Sequence, residues 1–167
     1  MFDIFSSPYG LAVLLDTANR LLVRSLYDRL AAVGYADIHL THGIVLHLLI
    51  PGGATVTELA TRLEVTKQAV SQVVIYLEQC GYVVRQPHPH DRRGKIVVLT
   101  KRGRDCIRAT EAVLAELEKD WSARVGAECM QHLRSDLYHF VQALGDGSLL
   151  EMKENALRLH TEEKEAT

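Results

Sequence analysis

The residue pattern predicts a mostly α-helical chain interrupted once by a small β-hairpin, and three observations carry that expectation. Two stretches, from Gly10 to Ala32 and from Met130 to Leu144, repeat apolar residues at three- and four-residue steps, the period of a helix with one buried stripe. In the middle, Tyr82-Val83-Val84-Arg85 and Ile96-Val97-Val98-Leu99 are β-branched runs joined by a polar, proline- and glycine-containing turn, the signature of a hairpin. A helix expected from Thr66 ends directly ahead of the first run. At 167 residues the chain suits one globular unit with appended helices and can bury a real core.

Taken in order, the first helix carries Leu11, Leu14, Leu15, Ala18, Leu21, Leu22, Leu26 and Leu30 on its stripe, with Arg20, Arg24, Asp28 and Arg29 on other faces and Gly34 at its end. A second helix is expected from Thr41, whose hydroxyl suits a cap, through Ile44, Val45, Leu48 and Leu49 to the stop at Pro51-Gly52-Gly53. Thr55-Val56-Thr57-Glu58 offers a capping box with Glu58 three residues after Thr55, and Thr57 is the alternative cap. Leu59, Ala60 and Leu63 form the inner face of this short third helix. A tight turn at Glu64-Val65 leads to Thr66, a good N-cap for the fourth. There Val70, Val73, Val74 and Leu77 fall at i, i+3, i+4 and i+7 and face the core, which turns Lys67, Gln68, Ser71, Gln72 and Ile75 elsewhere. Gly81 is its natural stop.

After the hairpin, Thr100 can cap a helix from Lys101 to about Val125, with Ile107, Val113, Leu114, Leu117 and Trp121 as its apolar face and Gly126 as its interruption. Met130, Leu133, Leu137, Phe140, Val141 and Leu144 then have the spacing of a seam between packed helices. Gly145-Asp146-Gly147 breaks the pattern. The last twenty residues can form one short helix around Leu149, Leu150, Ala156, Leu157 and Leu159, and Thr161 to Thr167 is a polar end.

Net charge is only −2, but it is segregated. From Ala54 to Arg104 nine lysines and arginines stand against four acids, a net of +5, and the remainder of the chain carries −7. A basic middle between acidic ends fits a protein of which only the middle meets a polyanion. Cys80, Cys106 and Cys129 are odd in number and widely spaced, which argues against a disulfide framework and a thiolate zinc site and for a reducing compartment. With neither a signal-like start nor about 18 uninterrupted apolar residues, the expected location is the cytoplasm, with no membrane partner.

The third and fourth helices, joined by a tight turn with Ala60, Val65, Ala69 and Val70 at the crossing, fit a helix-turn-helix, and the hairpin beside them makes it a winged one. A helix fits the major groove of duplex DNA, and arginines at a hairpin tip suit the narrower groove beside it. Gln68 and Gln72 can each address adenine through a two-pronged amide contact, Ser71 serves phosphate or base, and Lys67 serves phosphate or guanine. In the turn, Pro87 and Pro89 stiffen the approach and Gly94 permits the reversal. Asp91 stands two before Arg93, close enough to hold that guanidinium in one pose, while Arg92, Lys95 and His90 suit phosphates. A metal-hydrolase reading of His88-Pro89-His90-Asp91 fails, because Asp91 follows His90 directly, Arg93 stands where a histidine is required, and two arginines repel a dication. No catalytic residue, metal or cofactor is therefore expected, and the chain is not read as an enzyme.

This ordered set resembles the MarR family of winged helix-turn-helix transcriptional regulators. The match runs through Thr57-Glu58-Leu59-Ala60, Leu63, Val65-Thr66, Val70-Ser71, Leu77-Glu78, Gly81-Tyr82-Val83, Asp91-Arg92-Arg93 and Leu99-Thr100-Lys101-Arg102-Gly103. The resemblance implies an N-terminal dimerisation helix over residues 1–40, a winged helix-turn-helix over 41–100, C-terminal dimerisation helices over 101–145 and a tail over 146–167. It implies a homodimer reading a pseudo-palindromic operator in double-stranded DNA, a repressor more readily than an activator, tuned by a small-molecule effector. Arg93 is then the minor-groove arginine with Asp91 as its orienting partner, and Gln68, Ser71 and Gln72 lie on the base-reading face. The whole DNA-facing set is Thr66, Lys67, Gln68, Ser71, Gln72 and Ile75 with His90, Asp91, Arg92, Arg93 and Lys95. An effector pocket between the dimer helices and the reading module points to Tyr35, His39 and His42.

The alternatives are a redox- or metal-responsive regulator of the same fold, or a winged module that binds only protein. The first helix contains no cysteine, Cys80 reads as a small buried hydrophobe, and His39, His42 and His47 read as surface or pocket histidines rather than metal ligands.

Overall fold

The computed structural model describes residues 6–89 and 94–144, so the wing tip from His90 to Arg93 and the tail after Leu144 lie outside the described residues. Six helices and one hairpin follow in the order α1 (Gly10–Ala32), α2 (Leu40–Leu48), α3 (Val56–Arg62), α4 (Lys67–Gln79), β1 (Val83–Pro87), β2 (Lys95–Leu99), α5 (Lys101–Val125) and α6 (Ala127–Leu144).

Local chemistry sets most of these boundaries. Thr55 and Glu58 form a reciprocal capping box: the Thr55 amide donates to Glu58 Oε2 at 2.7 Å and the Glu58 amide to Thr55 Oγ1 at 3.2 Å, which settles the cap in favour of Thr55 over Thr57. Thr66 and Thr100 cap α4 and α5 by accepting from the Ala69 and Gly103 amides. The helix-turn-helix corner turns at Glu64, which adopts a left-handed φ of 53°, and Gly81 ends α4 at φ 77°. One boundary differs from expectation. α2 starts at Leu40, not Thr41, because the His39 amide is satisfied by His42 Nδ1 at 3.2 Å, so an imidazole takes the capping role expected of the Thr41 hydroxyl.

The hairpin pairs antiparallel from Val83 opposite Leu99 to Pro87 opposite Lys95. β1 sits one to two residues further toward the tip than the sequence suggests, β2 starts one residue nearer the tip and ends at Leu99 as expected, and Tyr82 becomes a wholly buried residue at the base. Ala54 adds a single bridge on the outer side of β2, exchanging both backbone hydrogen bonds with Val97 at 2.9 and 3.0 Å.

One core holds Ile38, Val45, Leu46, Leu49, Leu59, Ala60, Val70, Val74, Leu77, Tyr82, Val83, Val97, Cys106 and Ile107, so α2, α3, α4, the hairpin and the start of α5 share a single interior. A second, smaller cluster of Leu26, Leu30, Val113 and Leu117 clamps the C-terminal half of α1 to α5. Beyond these clusters the apolar stripes of α1 and α6 are exposed among the described residues. Every residue of α1 from Leu11 to Arg20 is exposed, and α6 buries no residue at all. Among the described residues no helix is long and apolar enough to cross a membrane.

Candidate nucleic-acid interface

The middle of α4 carries weak helix formers, since Val70, Val73, Val74 and Ile75 are β-branched and lose rotamer freedom in a helix. It holds because its inner face is packed: Val70, Val74 and Leu77 are at most 1% exposed. That register fixes the outer face. Thr66, Lys67, Gln68 and Gln72 are exposed and Ser71 half-buried, and the side chains of Lys67, Gln68, Ser71 and Gln72 make no hydrogen bond to any described residue. Ile75 is half-buried at the border between the two faces. The free amides of the first turn point outward at the same end, so α4 presents a row of donors and a positive helix terminus.

In the wing, Lys95 is exposed on β2, and the turn is closed by the His88 amide donating to the Gly94 carbonyl at 3.0 Å. His90, Asp91, Arg92 and Arg93 lie outside the described residues. At the wing base Arg85 is not available to a partner, since it pairs with Glu78 at 3.2 Å. The same is true of other members of the basic segment. Lys101 pairs with Asp105 at 2.8 Å, Arg104 donates to the Leu99 carbonyl at 2.9 Å, and Arg102 is held by Tyr82 and Asp37. Part of the +5 read from sequence is thus neutralised or engaged within the fold. Among the described basic residues of the segment, Arg62, Lys67, Lys95 and Arg104 are exposed without an ion pair, and of these Arg104 is tied to the Leu99 carbonyl. Arg62, in the last turn of α3, is exposed at the end of the helix-turn-helix's first helix, a tertiary fact that composition does not show.

Behind α4 lies a polar cluster that the sequence foreshadows only in part. His42 stacks on Tyr76 (ring centroids 4.6 Å, 22° between planes), His39 lies 5.5 Å from His42, and Tyr27 meets His39 edge-on. Tyr35 sits half-buried beside Tyr82 and the Arg102 guanidinium. The three residues expected at an effector site are therefore brought into one neighbourhood. Asp37, Tyr76, Tyr82 and Arg102 complete it, and no local signal marks them, because Asp37 is 39 to 65 residues from its partners in sequence.

Burial raises the Asp37 carboxyl, yet the Tyr82 hydroxyl, its own backbone amide and the Arg102 charge together hold it below the usual range. Burial, and then the bond to Asp37, push Tyr82 far above the ordinary phenol value. The His42 imidazole is lowered by burial and then by His39. Cys106 is buried and its thiol is pushed up to about 11 by burial, so it is inert, whereas Cys80 is half-buried and touches Tyr76 and Asp37 rather than sitting wholly inside the core. Among the described residues no three histidine, cysteine or acidic side chains are placed to hold a metal ion.

Residues 36–94, from the α1–α2 loop through the wing, match the model of the MarR family. The whole architecture is also similar to Rv1404 from Mycobacterium tuberculosis, at 29% identity and a TM-score of 0.72 over 84% of this chain and 97% of that one. Wild-type MarR from E. coli is similar at 26% identity and a TM-score of 0.63, over 78% and 96% of the two chains. The central part of the chain thus matches the MarR family, and most of its length is similar in fold to MarR-type regulators. A mutant of E. coli MarR complexed with operator DNA is similar to this chain at 25% identity and a TM-score of 0.65, over 84% of this chain and 99% of that one. The α3–α4 pair and the hairpin of the present chain are thus the winged helix-turn-helix of a MarR-type transcriptional regulator fold, with the long α1, α5 and α6 around it.

Proposed function

We propose that the protein is a sequence-specific regulator of transcription that binds double-stranded DNA as a homodimer, laying α4 in the major groove and the wing tip in the minor groove beside it. The observation that carries this reading is the outer face of α4: Lys67, Gln68, Ser71 and Gln72 stand free at the N-terminal end of a helix whose opposite face is locked into the core. Thr66 and Ile75 flank that row. Lys95, with His90, Asp91, Arg92 and Arg93 of the wing tip, supplies the second contact, in which Arg93 enters the minor groove and Asp91 orients it. Arg62 adds a phosphate contact from the first helix of the motif. That a similar protein, a mutant of E. coli MarR, forms a complex with operator DNA supports DNA binding.

The homodimer is favoured by the unpartnered stripe. Leu11 and Leu15 of α1 and Leu133, Leu137 and Phe140 of α6 line one apolar groove, and all five are exposed in the single chain. A second copy covers such a surface and sets two reading modules against the two half-sites of a pseudo-palindrome. In this reading the protein acts in the cytoplasm as a repressor, and a small molecule held near Tyr35, His39 and His42 favours one separation of the modules over the other, which shifts operator occupancy.

The test is selection of duplexes from a random pool by the purified protein. A pseudo-palindrome should emerge, and Gln68→Ala or Gln72→Ala should relax preference at particular base pairs of each half-site by about 1–3 kcal/mol. Failure of the wild type to enrich any sequence, or a uniform loss across all sequences in both glutamine variants, contradicts base reading by α4.

A further inference from the structure

Asp37 lies in the loop between α1 and α2, away from the outer face of α4, yet three elements converge on it. Tyr76, one turn beyond Gln72 in α4, donates its hydroxyl to the Asp37 backbone carbonyl at 2.8 Å. Tyr82, at the base of the wing, donates to Asp37 Oδ1 at 2.5 Å. Arg102, in the first turn of α5, donates to Asp37 Oδ2 at 3.4 Å and to the Tyr82 hydroxyl at 2.9 Å, with its guanidinium 4.6 Å from the Tyr82 ring centroid. The stacked His42 ring presses on Tyr76 from α2. One short loop therefore bonds to the helix that carries the DNA-facing row, to the wing and to the helical frame.

These bonds do more for direction than for stability. The Arg102–Asp37 pair is 46% and 32% exposed on its two side chains, a setting in which an ion pair adds little to folding, while Tyr82 is fully buried and its ring packing would be the same in phenylalanine. What the hydroxyls and the guanidinium add is a fixed angle between reader and frame.

We propose that Asp37 is a positioning residue, the joint that sets the pose of α4 and the wing against the helical frame and hence the separation of the two recognition helices in the dimer. The proposal rests on the DNA-reading dimer described above. Asp37 touches no base or phosphate in it. Its loss changes which half-site spacing the dimer accepts and leaves the interactions at each half-site in place.

The experiment uses the duplex that the full-length wild type selects from a random pool, together with versions carrying one base pair more or one fewer between the half-sites. Each change turns one half-site by about 36° and moves it about 3.4 Å. Wild type should bind the altered duplexes at least about tenfold more weakly than the selected one. Asp37→Ala should bind the selected duplex about tenfold more weakly than wild type and distinguish the three spacings by no more than about threefold, with its dimer and melting temperature preserved. Tyr82→Phe, which keeps the buried ring, should show the same narrowing.

Retention of wild-type spacing preference by both variants overturns the joint, whether affinity is unchanged or is lost equally on all three duplexes, since equal loss is what a merely structural role produces. Failure of both variants to fold overturns it as well. If the wild type selects no duplex, the DNA-reading assignment itself falls, a result distinct from either of these.

Discussion

Gln68 and Gln72 show how a side chain's availability is decided by residues that never touch the partner. They are free because Val70 and Val74, two positions further along, are pinned inside, a relation that the helical period makes visible in sequence. His42 shows the opposite case. Its sequence position suggests a pocket or surface histidine, and the structure gives its ring two jobs, capping α2 through Nδ1 and stacking on Tyr76. Both suit the neutral imidazole with its proton on Nε2. Burial first and His39 second hold His42 below the ordinary 6.5, against the pull of Asp37. The folded protein thus binds this proton less readily than the unfolded chain. The stabilising contribution of the neutral ring is intact above about pH 6.5 and is lost as pH falls through the lowered folded-state value. The melting temperature should drop more steeply on acidification in the wild type than in His42→Asn, whose amide oxygen keeps an acceptor for the His39 amide. Equal slopes in calorimetry would show that His42 is not the group that titrates.

At the level of elements, the sequence is most informative where local chemistry sets the boundary. The Thr55–Glu58 box, the Thr66 and Thr100 caps, the Glu64 corner and the Gly81 stop are short-range devices, and each appears where its residues predict. Hidden from it are the interactions between distant segments: the Ala54 bridge to β2, the buried hydroxyl of Tyr82 and the convergence on Asp37. The junction of hairpin and α5 belongs to this second group. Thr100 donates from its amide to the Tyr82 carbonyl at 3.0 Å and from its hydroxyl to the Gly81 carbonyl at 2.6 Å. Gly103 lies so close that a Cβ there would press on the Tyr82 carbonyl and stand 3.1 Å from Leu99 Cδ2. Backbone cannot yield as a flexible side chain does. Gly103→Ala should therefore cost about 1–3 kcal/mol in urea denaturation despite the better helix propensity of alanine. A variant as stable as the wild type would show that α5 can slide away from the wing.

For the molecule as a whole, two patterns read from sequence acquire different weights in the fold. The apolar stripes of α1 and α6 are legible as helices, yet only the structure shows that the first half of α1 is exposed and that α6 buries none of its residues, which is what the proposed dimer would cover. Leu137→Glu should place a charge in that seam and convert a dimer to a monomer in analytical ultracentrifugation, and a folded wild-type monomer at micromolar concentration would contradict the pairing. The basic middle, by contrast, is weaker than its count, because Arg85, Lys101, Arg102 and Arg104 are engaged within the fold. The exposed cations left for the proposed DNA-facing patch are Arg62 and Lys67 on the helix-turn-helix and Lys95 on β2, joined in sequence by Arg92 and Arg93 of the turn, which lie outside the described residues. Contact between this patch and the phosphates of duplex DNA is measured most directly by titrating salt against the affinity for the selected duplex. Log affinity should fall steeply and linearly with log salt, with a slope shallower by about one in Lys67→Ala or Lys95→Ala, each of which removes one cation from the phosphates. Binding that is indifferent to salt, or a slope unchanged in both variants, would contradict it.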